Sequence, residues 1–183
     1  MTANPLDDPF YYLNNFMQVL DWLEQRFADV LSAEEQCFVH EFRLLPRESQ
    51  ALLVRMVMRK GIHFRASKLH YEEIGDIVSA AGPLSELGWV DERMPLAVEE
   101  LFDLLLKGEI LQTFGPVIDQ PKGRKTDWLP ALSEQFPGTH SFNDWCPGLQ
   151  ERLFSLTIME LCDRLRLMFF GNLYQDWSEF VLA

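Results

Sequence analysis

The chain has 183 residues and a net charge of −12, and 48% of its residues are apolar and 13% aromatic. A chain of this size and composition buries a core, which excludes an intrinsically disordered protein. Its apolar runs are far shorter than the ~20 residues that span a bilayer, and its first residues lack the pattern of a secretory signal. Three widely spaced cysteines, Cys37, Cys146 and Cys162, predict a reduced, cytosolic protein with buried thiols.

The positive charge is concentrated in one segment. Residues 43–68 carry a net charge of +6, which leaves −18 for the rest of the chain. An acidic molecule as a whole repels phosphate, but a local basic block favours binding to nucleic acid. The alternative is that the block docks on acidic residues of the same chain. Its cations are Arg43, Arg47, Arg55, Arg59, Lys60, Arg65 and Lys68.

The first part of the chain predicts three helices. Apolar residues recur at three- and four-residue steps over residues 9–31, which indicates an amphipathic helix. Ser32 precedes Glu35 by three residues, and this spacing predicts a capping box that starts a second helix to about residue 44. The proline at the start of residues 46–60 fits the first turn of a third helix.

The third predicted helix is apolar over most of its circumference, which is typical of a buried helix. At 100° per residue, Arg47, Glu48, Arg55 and Arg59 fall within about a third of a turn. We therefore expect these guanidiniums to emerge from a rigid helix along one line.

The next segments predict a winged-helix arrangement. Residues 62–70 are typical of an extended connector, and residues 71–81 of a helix that Gly82 and Pro83 stop. Residues 84–90 favour a short strand. Helix, connector, helix and a small β element is the order found in winged-helix folds.

A second basic stretch lies further along the chain. Residues 96–114 predict two short helices that meet near Lys107, and residues 115–127 predict a linker rich in proline and glycine. The cations of that linker, Lys122, Arg124 and Lys125, form a possible second phosphate contact.

The overall prediction is a mainly α protein, a helical bundle with a winged-helix portion and at most a short β element. A short helix is expected over residues 128–135, and helices are expected from residue 148 to the end. The predicted divisions are an amino-terminal helical region (1–45), a DNA-binding region (46–114), a linker-rich segment (115–147) and carboxy-terminal helices (148–183).

Catalytic chemistry finds no support in the sequence. There is no nucleophile elbow and no glycine-rich phosphate loop. Cys37 and His40 share a helix face, but two ligands do not make a zinc site, and His63 and His70 favour phosphate or solvent contacts. We therefore predict no catalytic or metal site in this chain. The remaining candidate is the basic connector, where Arg59, Lys60, Arg65 and Lys68 interleave with the aromatic residues Phe64 and Tyr71.

Three stretches resemble a known family. Residues 50–76, 95–111 and 165–182 are similar to the Fanconi-associated nucleases, the VRR-NUC nucleases of DNA interstrand cross-link repair. The resemblance implies that full-length relatives cut near 5′ flaps and degrade DNA from the 5′ side with Mg²⁺ or Mn²⁺. It also implies that this chain is their amino-terminal DNA-binding region, which is helical with a winged-helix or SAP-like portion, without the helical repeat region and the nuclease domain.

The resemblance also implies which residues contact DNA. These are Arg59, Lys60, Arg65, Lys68 and Tyr71, with Arg55 as a second choice, on flap, nicked or branched duplexes. We expect a protein of the cytoplasm, at the nucleoid in a bacterium and in the nucleus in a eukaryote.

One alternative function remains open. The chain would then be a structural or protein-interaction lobe that braces the nuclease domain. Its apolar surface would lie around Phe169, Phe170, Trp177 and Phe180.

Overall fold

The computed structural model describes residues 7–171 and 175–182. The chain divides into two compact units. The first unit contains the chain up to Ile62, His70–Val90 and the part from Leu156 onward, and the second contains His63–Leu69 and Asp91–Ser155. The second unit thus combines two separate stretches of the chain, residues 63–69 and 91–155. The divisions predicted after residues 45, 114 and 147 stay predictions.

Helices are the main regular structure of both units. Those of the first unit are α1 (Tyr11–Phe27), α2 (Ala33–Leu44), α3 (Arg47–Val57), α4 (Ile77–Glu86), α9 (Met159–Phe170) and α10 (Trp177–Val181). Those of the second unit are α5 (Val98–Leu104), α6 (Lys107–Phe114), α7 (Lys125–Gln135) and α8 (Phe142–Trp145). Among the described helices, none combines the length and the apolar character that a bilayer crossing requires.

The start of α2 confirms the predicted capping box. The Glu35 backbone N–H donates to Ser32 Oγ at 3.1 Å, and the Ser32 backbone N–H donates to Glu35 Oε2 at 2.8 Å. Because Ser32 is extended, α1 and α2 are separate helices, and α1 ends four residues before the predicted boundary. The prediction that Cys37 is buried is wrong: Cys37 is exposed, because α2 buries the face of Phe38, Val39 and Phe42.

Helix α3 confirms the prediction of a buried helix. It packs against α1 and α4, and nearly all its residues are buried. It ends at Val57, three residues earlier than predicted, and Gly61 then adopts φ +80°, a conformation that favours glycine.

The helix predicted over residues 71–81 is present, but it starts six residues later and ends five residues later than predicted. Asp76 accepts hydrogen bonds from the backbone N–H groups of Val78 and Ser79, so α4 starts at Ile77. It then continues through Pro83 to Glu86. A proline inside a helix removes one hydrogen bond, but the helix persists here because the next residue, Leu84, is fully buried.

A small sheet replaces the predicted strand. Its strands are β1 (His63–Arg65), β2 (Val90–Asp91) and β3 (Leu153–Leu156), in the order β1-β3-β2. Strands β1 and β3 are antiparallel, with Phe64 opposite Phe154. The short β element and the extended connector are thus confirmed, but β3 lies where only helices were expected.

The second unit has its own core. Helices α5 and α6 meet at residues 105–106, as predicted, and α5 packs against α7. Trp145 donates its indole N–H to the carbonyl of Leu96 at 2.8 Å. The core residues shared by these helices include Leu101, Phe102, Ile110, Phe114, Trp128 and Leu132.

Candidate nucleic-acid interface

Part of the basic segment is neutralised within the protein. Arg43 Nη2 lies 2.8 Å from Asp21 Oδ1 and 2.9 Å from Glu24 Oε2. Arg47 makes a looser pair with Asp8 at 3.8 Å. The sequence left open the alternative that the basic segment docks on acidic residues of the same chain. Arg43 and Arg47 follow that alternative, because each pairs with a carboxylate of the first unit.

Arg55 is enclosed by two tyrosines and a carboxylate. Its guanidinium carbon lies 3.9 Å from the ring centroid of Tyr12 and 4.8 Å from that of Tyr71, and its Nη2 lies 2.8 Å from Glu73 Oε1. Tyr12 also donates its hydroxyl to Glu73 at 2.8 Å. Burial opposes the charge of Glu73, but the hydrogen bond from Arg55 outweighs it and holds the pKa of Glu73 below its ordinary value. Arg55 and Tyr71 therefore belong to an internal cluster.

Arg65 is the centre of a buried ion-pair network. Its side chain is 9% exposed, and two of its nitrogens each lie 2.7 Å from an oxygen of Glu109. Its Nε donates to Glu151 at 3.1 Å, and Nη1 donates to the carbonyl of Leu104 at 3.1 Å. Hydrogen bonds from Arg65 hold the pKa of Glu109 below its ordinary value. The network uses this guanidinium to join β1 to the start of α6 and to the segment before β3.

The two histidines that were predicted to contact phosphate or solvent have different surroundings. His63 Nδ1 lies 2.6 Å from Ser155 Oγ, and its Nε2 lies 3.1 Å from Glu100 Oε2. His63 therefore connects β1 to β3 and α5, and the expectation of a phosphate or solvent contact is replaced by an internal role. His70 is exposed.

The predicted site residues that remain exposed fall into two groups. Arg59 and Lys60 lie just after α3 in the first unit, and both are exposed. Lys68 lies in the second unit and is also exposed. The second unit also contains the predicted secondary contacts, Lys122 and Arg124, which are exposed as well.

Several of these cations gather at the turn between α5 and α6. Lys125 donates its ammonium to the carbonyl of Leu105 at 2.7 Å. The ammonium of Lys107 lies 5.5 Å from the ring centroid of Trp128 on α7. The charge of Lys68, after the hydrogen bonds of Arg65, contributes to the low pKa of Glu109 at the start of α6. Arg124 and Lys107 both act on the carboxylate of Asp127, and Lys122 lies two residues before Arg124 in the sequence. We call Lys68, Lys107, Lys122, Arg124 and Lys125 the basic cluster.

The electrostatics of the basic cluster favour an anion. Glu109 pairs with Arg65, and Asp127 accepts the backbone N–H of Arg124 at 2.8 Å and pairs with its Nε at 3.5 Å, so Arg124 is partly compensated and the lysines carry most of the excess charge. That hydrogen bond and the charges of Arg124 and Lys107 hold the pKa of Asp127 below its ordinary value. This surface of the second unit therefore carries a local excess of positive charge, which attracts anions.

Lys107 belongs to the basic cluster, but the sequence did not single it out. It is the first residue of α6, directly after Leu106, which is 58% exposed. The signal in the sequence that could have indicated Lys107 was a cation at the junction of two short helices.

Among the residues that the structure describes, no group of three or more His, Cys, Asp or Glu side chains is placed to hold a metal ion.

Comparison with known protein families gives two matches along the chain. Residues 10–91 match the family described as "FAN1, HTH domain", and residues 95–145 match the "Fanconi anemia-associated nuclease SAP domain". The chain belongs to the Fanconi-associated nuclease family. The resemblance and the winged-helix/SAP-like prediction are thereby confirmed, and the SAP match contains every member of the basic cluster except Lys68.

Individual relatives agree with this assignment. The chain is 51% identical to a Fanconi-associated nuclease 1 homolog of Pseudomonas aeruginosa, over 97% of this chain and 32% of the relative. It is 36% identical to the homolog of Oryza sativa, over 94% of this chain and 19% of the relative. The chain thus spans about a third or less of these Fanconi-associated nucleases.

A solved Fanconi-associated nuclease has the same fold. The crystal structure described as "paFAN1 bound to 2nt 5'flap DNA with gap" matches with a TM-score of 0.93 and 50% identity, over 97% of this chain and 32% of that chain. A second complex, with a 1nt 5′ flap, matches with a TM-score of 0.92.

Proposed function

We propose that the chain is the DNA-binding part of a structure-specific nuclease and contacts the phosphates of 5′-flap or branched duplexes. The observation that carries this proposal is the basic cluster, in which exposed cations gather at the turn between α5 and α6 of the SAP domain. The paFAN1 complexes with 5′-flap DNA support the choice of ligand.

The proposed contacts differ in part from those that the family resemblance implied. Lys68, Lys122 and Arg124 remain, Lys107 is added, and Arg59 and Lys60 are a second group in the HTH domain. Arg55, Arg65 and Tyr71 are assigned instead to internal packing, because their contacts lie within the protein. Since lysine is a flexible point charge, such a surface recognises the backbone and not the sequence.

The remaining parts of the proposal concern the longer protein. We infer that Mg²⁺ or Mn²⁺ chemistry belongs to its nuclease domain, and that this chain positions the branched duplex for cleavage in interstrand cross-link repair. Such a protein would act on the chromosome, at the nucleoid in a bacterium or in the nucleus in a eukaryote.

Salt-dependent binding tests the proposal. Fluorescence anisotropy with a labelled 5′-flap duplex should give an affinity that falls steeply as salt rises from about 50 to about 200 mM, because bound cations release the counterions of DNA. With about five phosphate contacts, the slope of log K against log salt should be near −4.5. Nicked and blunt duplexes of the same sequence are the controls. An absence of binding at about 50 mM salt would contradict the proposal.

A half-buried aromatic face in the first unit favours the alternative function. Trp22 and Phe169 lie 5.3 Å apart between ring centroids, and Phe169 lies 5.1 Å from Phe180. Trp177, which the sequence placed on this surface, is 3% exposed and packs on Phe16 at 5.2 Å. We define the aromatic face as Trp22, Phe27, Phe169, Phe170 and Phe180. A partly exposed apolar surface of this kind suits contact with another part of a longer protein.

Calorimetry of the longer protein tests this alternative. If the aromatic face braces the nuclease domain, Phe27→Ser with Phe180→Ser should split one unfolding transition into two, because apolar contacts couple the parts. Val117→Ser, at a half-exposed residue of the second unit, should leave the transition unchanged. One shared transition in the double variant would rule the bracing role out.

A further inference from the structure

The loop before α7 packs directly on the indole of Trp128. This tryptophan lies on α7, is 5% exposed and belongs to the core of the second unit. Its indole N–H donates to the carbonyl of Gln120 at 2.9 Å, and the backbone N–H of Gly123 donates to the same carbonyl at 2.9 Å. Two hydrogen bonds therefore converge on one oxygen and hold a turn over residues 120–123 against the edge of the indole.

This packing requires glycine at position 123. A Cβ atom at Gly123 would lie 2.9 Å from Trp128 Nε1 and 3.1 Å from the carbonyl oxygen of Gln120. Cβ atoms in proteins essentially never approach another heavy atom to less than 3.0 Å. The second atom belongs to the backbone, and the core holds the indole in place, so neither gives way freely. A side chain at this position would therefore displace the turn or break the hydrogen bond to Gln120.

The turn carries part of the basic cluster. Lys122 precedes Gly123 and Arg124 follows it, and both cations are exposed. The face of the same indole lies beside Lys107, whose ammonium is 5.5 Å from the ring centroid of Trp128. One buried side chain thus contacts both segments that supply the basic cluster in the SAP domain.

We propose that Gly123 and Trp128 are positioning residues for DNA binding, which hold the backbone of Lys122 and Arg124 beside Lys107. The inference rests on the proposed function, because the phosphates of DNA are the ligand of the basic cluster. A loop that is already ordered before binding loses less conformational freedom when DNA binds, and this raises the affinity. The close contact at Gly123 supplies that order in a segment rich in proline and glycine.

Gly123→Ala tests the contact. The affinity for the 5′-flap duplex should fall roughly five- to thirtyfold, the equivalent of one or two charge pairs in water. The slope of log K against log salt should become less steep by about 1 to 2, and the indole N–H resonance of Trp128 should shift. Gly138→Ala is the matched control, because a Cβ there meets only His140 Nε2 at 3.6 Å, an ordinary contact. Unchanged DNA binding in Gly123→Ala would overturn the proposal.

A second background separates positioning from a general loss of stability. If Gly123 acts through its two neighbours, Gly123→Ala should have little further effect on affinity once Lys122→Gln and Arg124→Gln have removed their charges. A loss as large as that in the original chain would mean that the substitution acts elsewhere in the protein. That result would also overturn the proposal.

The clash at Gly123 predicts a compensating substitution. Trp128→Phe removes the indole nitrogen, so by itself it should weaken DNA binding through loss of the hydrogen bond to Gln120. Combined with Gly123→Ala, it should also relieve the close contact, so the double variant should bind DNA more tightly than the sum of the two single losses predicts. Additive losses would contradict the contact between these two residues.

The original chain distinguishes failure of this inference from failure of the proposed function. Absence of DNA binding at about 50 mM salt would refute both, because the basic cluster would then have no phosphate to bind. Salt-dependent binding that is the same in the original chain and in Gly123→Ala would refute only the positioning role and leave the proposed function standing.

Discussion

Replacing Arg65 with methionine is expected to lower the free energy of unfolding by about 3–5 kcal/mol, because the change leaves Glu109 and Glu151 without their buried partner. Urea denaturation at pH 7 measures the loss. Arg152→Met is the matched control, because Arg152 is 49% exposed and pairs with Glu92 at 2.7 Å. An exposed pair of this kind is worth about 0–1 kcal/mol. Equal losses in the two variants would contradict the buried network.

The effect of Arg65→Met should also depend on pH. Hydrogen bonds from Arg65 hold the pKa of Glu109 below the ordinary 4.5. For Glu151, hydrogen bonds from Ser67 and from backbone N–H groups outweigh burial and lower the pKa, with a smaller contribution from Arg65. The pairing with Arg65 therefore stabilises the protein above that pH. The stabilisation disappears as the pH falls through the lowered pKa values, because protonated carboxyls no longer pair with a cation. The difference in stability between the original chain and Arg65→Met should therefore shrink below about pH 4.5. A difference that stays constant down to pH 3 would argue against these two carboxylates.

The same substitution tests the reassignment of Arg65. If Arg65 only stabilises the fold, the folded fraction of Arg65→Met should bind the 5′-flap duplex with the original salt dependence. A salt slope reduced by about one unit in the folded variant would instead place Arg65 at a phosphate.

Neutralising the basic cluster should have the largest effect on DNA binding. Changing Lys68, Lys107, Lys122 and Arg124 together to glutamine should make the slope of log K against log salt less steep by about 3 to 4, since each phosphate contact contributes about 0.9. With about 1 kcal/mol for each charge pair in water, affinity should fall by roughly two to three powers of ten. Lys125 is left unchanged because its ammonium donates to the carbonyl of Leu105.

A matched set of substitutions controls for net charge. Changing the arginines of the first unit, Arg26, Arg43, Arg47 and Arg164, to glutamine also removes four positive charges, so both sets take the net charge from −12 to −16. The control set should change the salt slope much less, because its members lie outside the basic cluster. If both sets weaken binding equally, the overall charge and not the basic cluster governs DNA affinity. Thermal denaturation of both variants verifies that the fold persists.

The features that were predicted from sequence depend on neighbouring residues. The capping box of Ser32 and Glu35 uses residues three apart, and the burial of α3 follows from its own apolar circumference. The junction of α5 and α6 is likewise a local property. The family resemblance added the SAP-like character, which no local pattern specified.

The features that were missed depend on distant residues. Arg65 carries the same charge as Lys68, but its partners Glu109 and Glu151 lie 44 and 86 positions away, and this pairing determines that it is internal. Strand β3 is buried at every residue, and a short apolar run of this kind does not distinguish a strand from a helix. Pro83 was expected to end a helix, but burial of its neighbours in the core outweighs the lost hydrogen bond.

The path of the polypeptide has a practical consequence. The chain passes from one unit to the other four times, after residues 62, 69, 90 and 155. A fragment that contains only the residues of the SAP match would therefore retain Glu109 but lack residues 63–69, which supply Arg65. Glu109 would then have lost its partner in the ion pair. Neither unit can be released by a single cut, so limited proteolysis or domain truncation should disrupt both together, and a dissection by circular permutation is better suited to this topology.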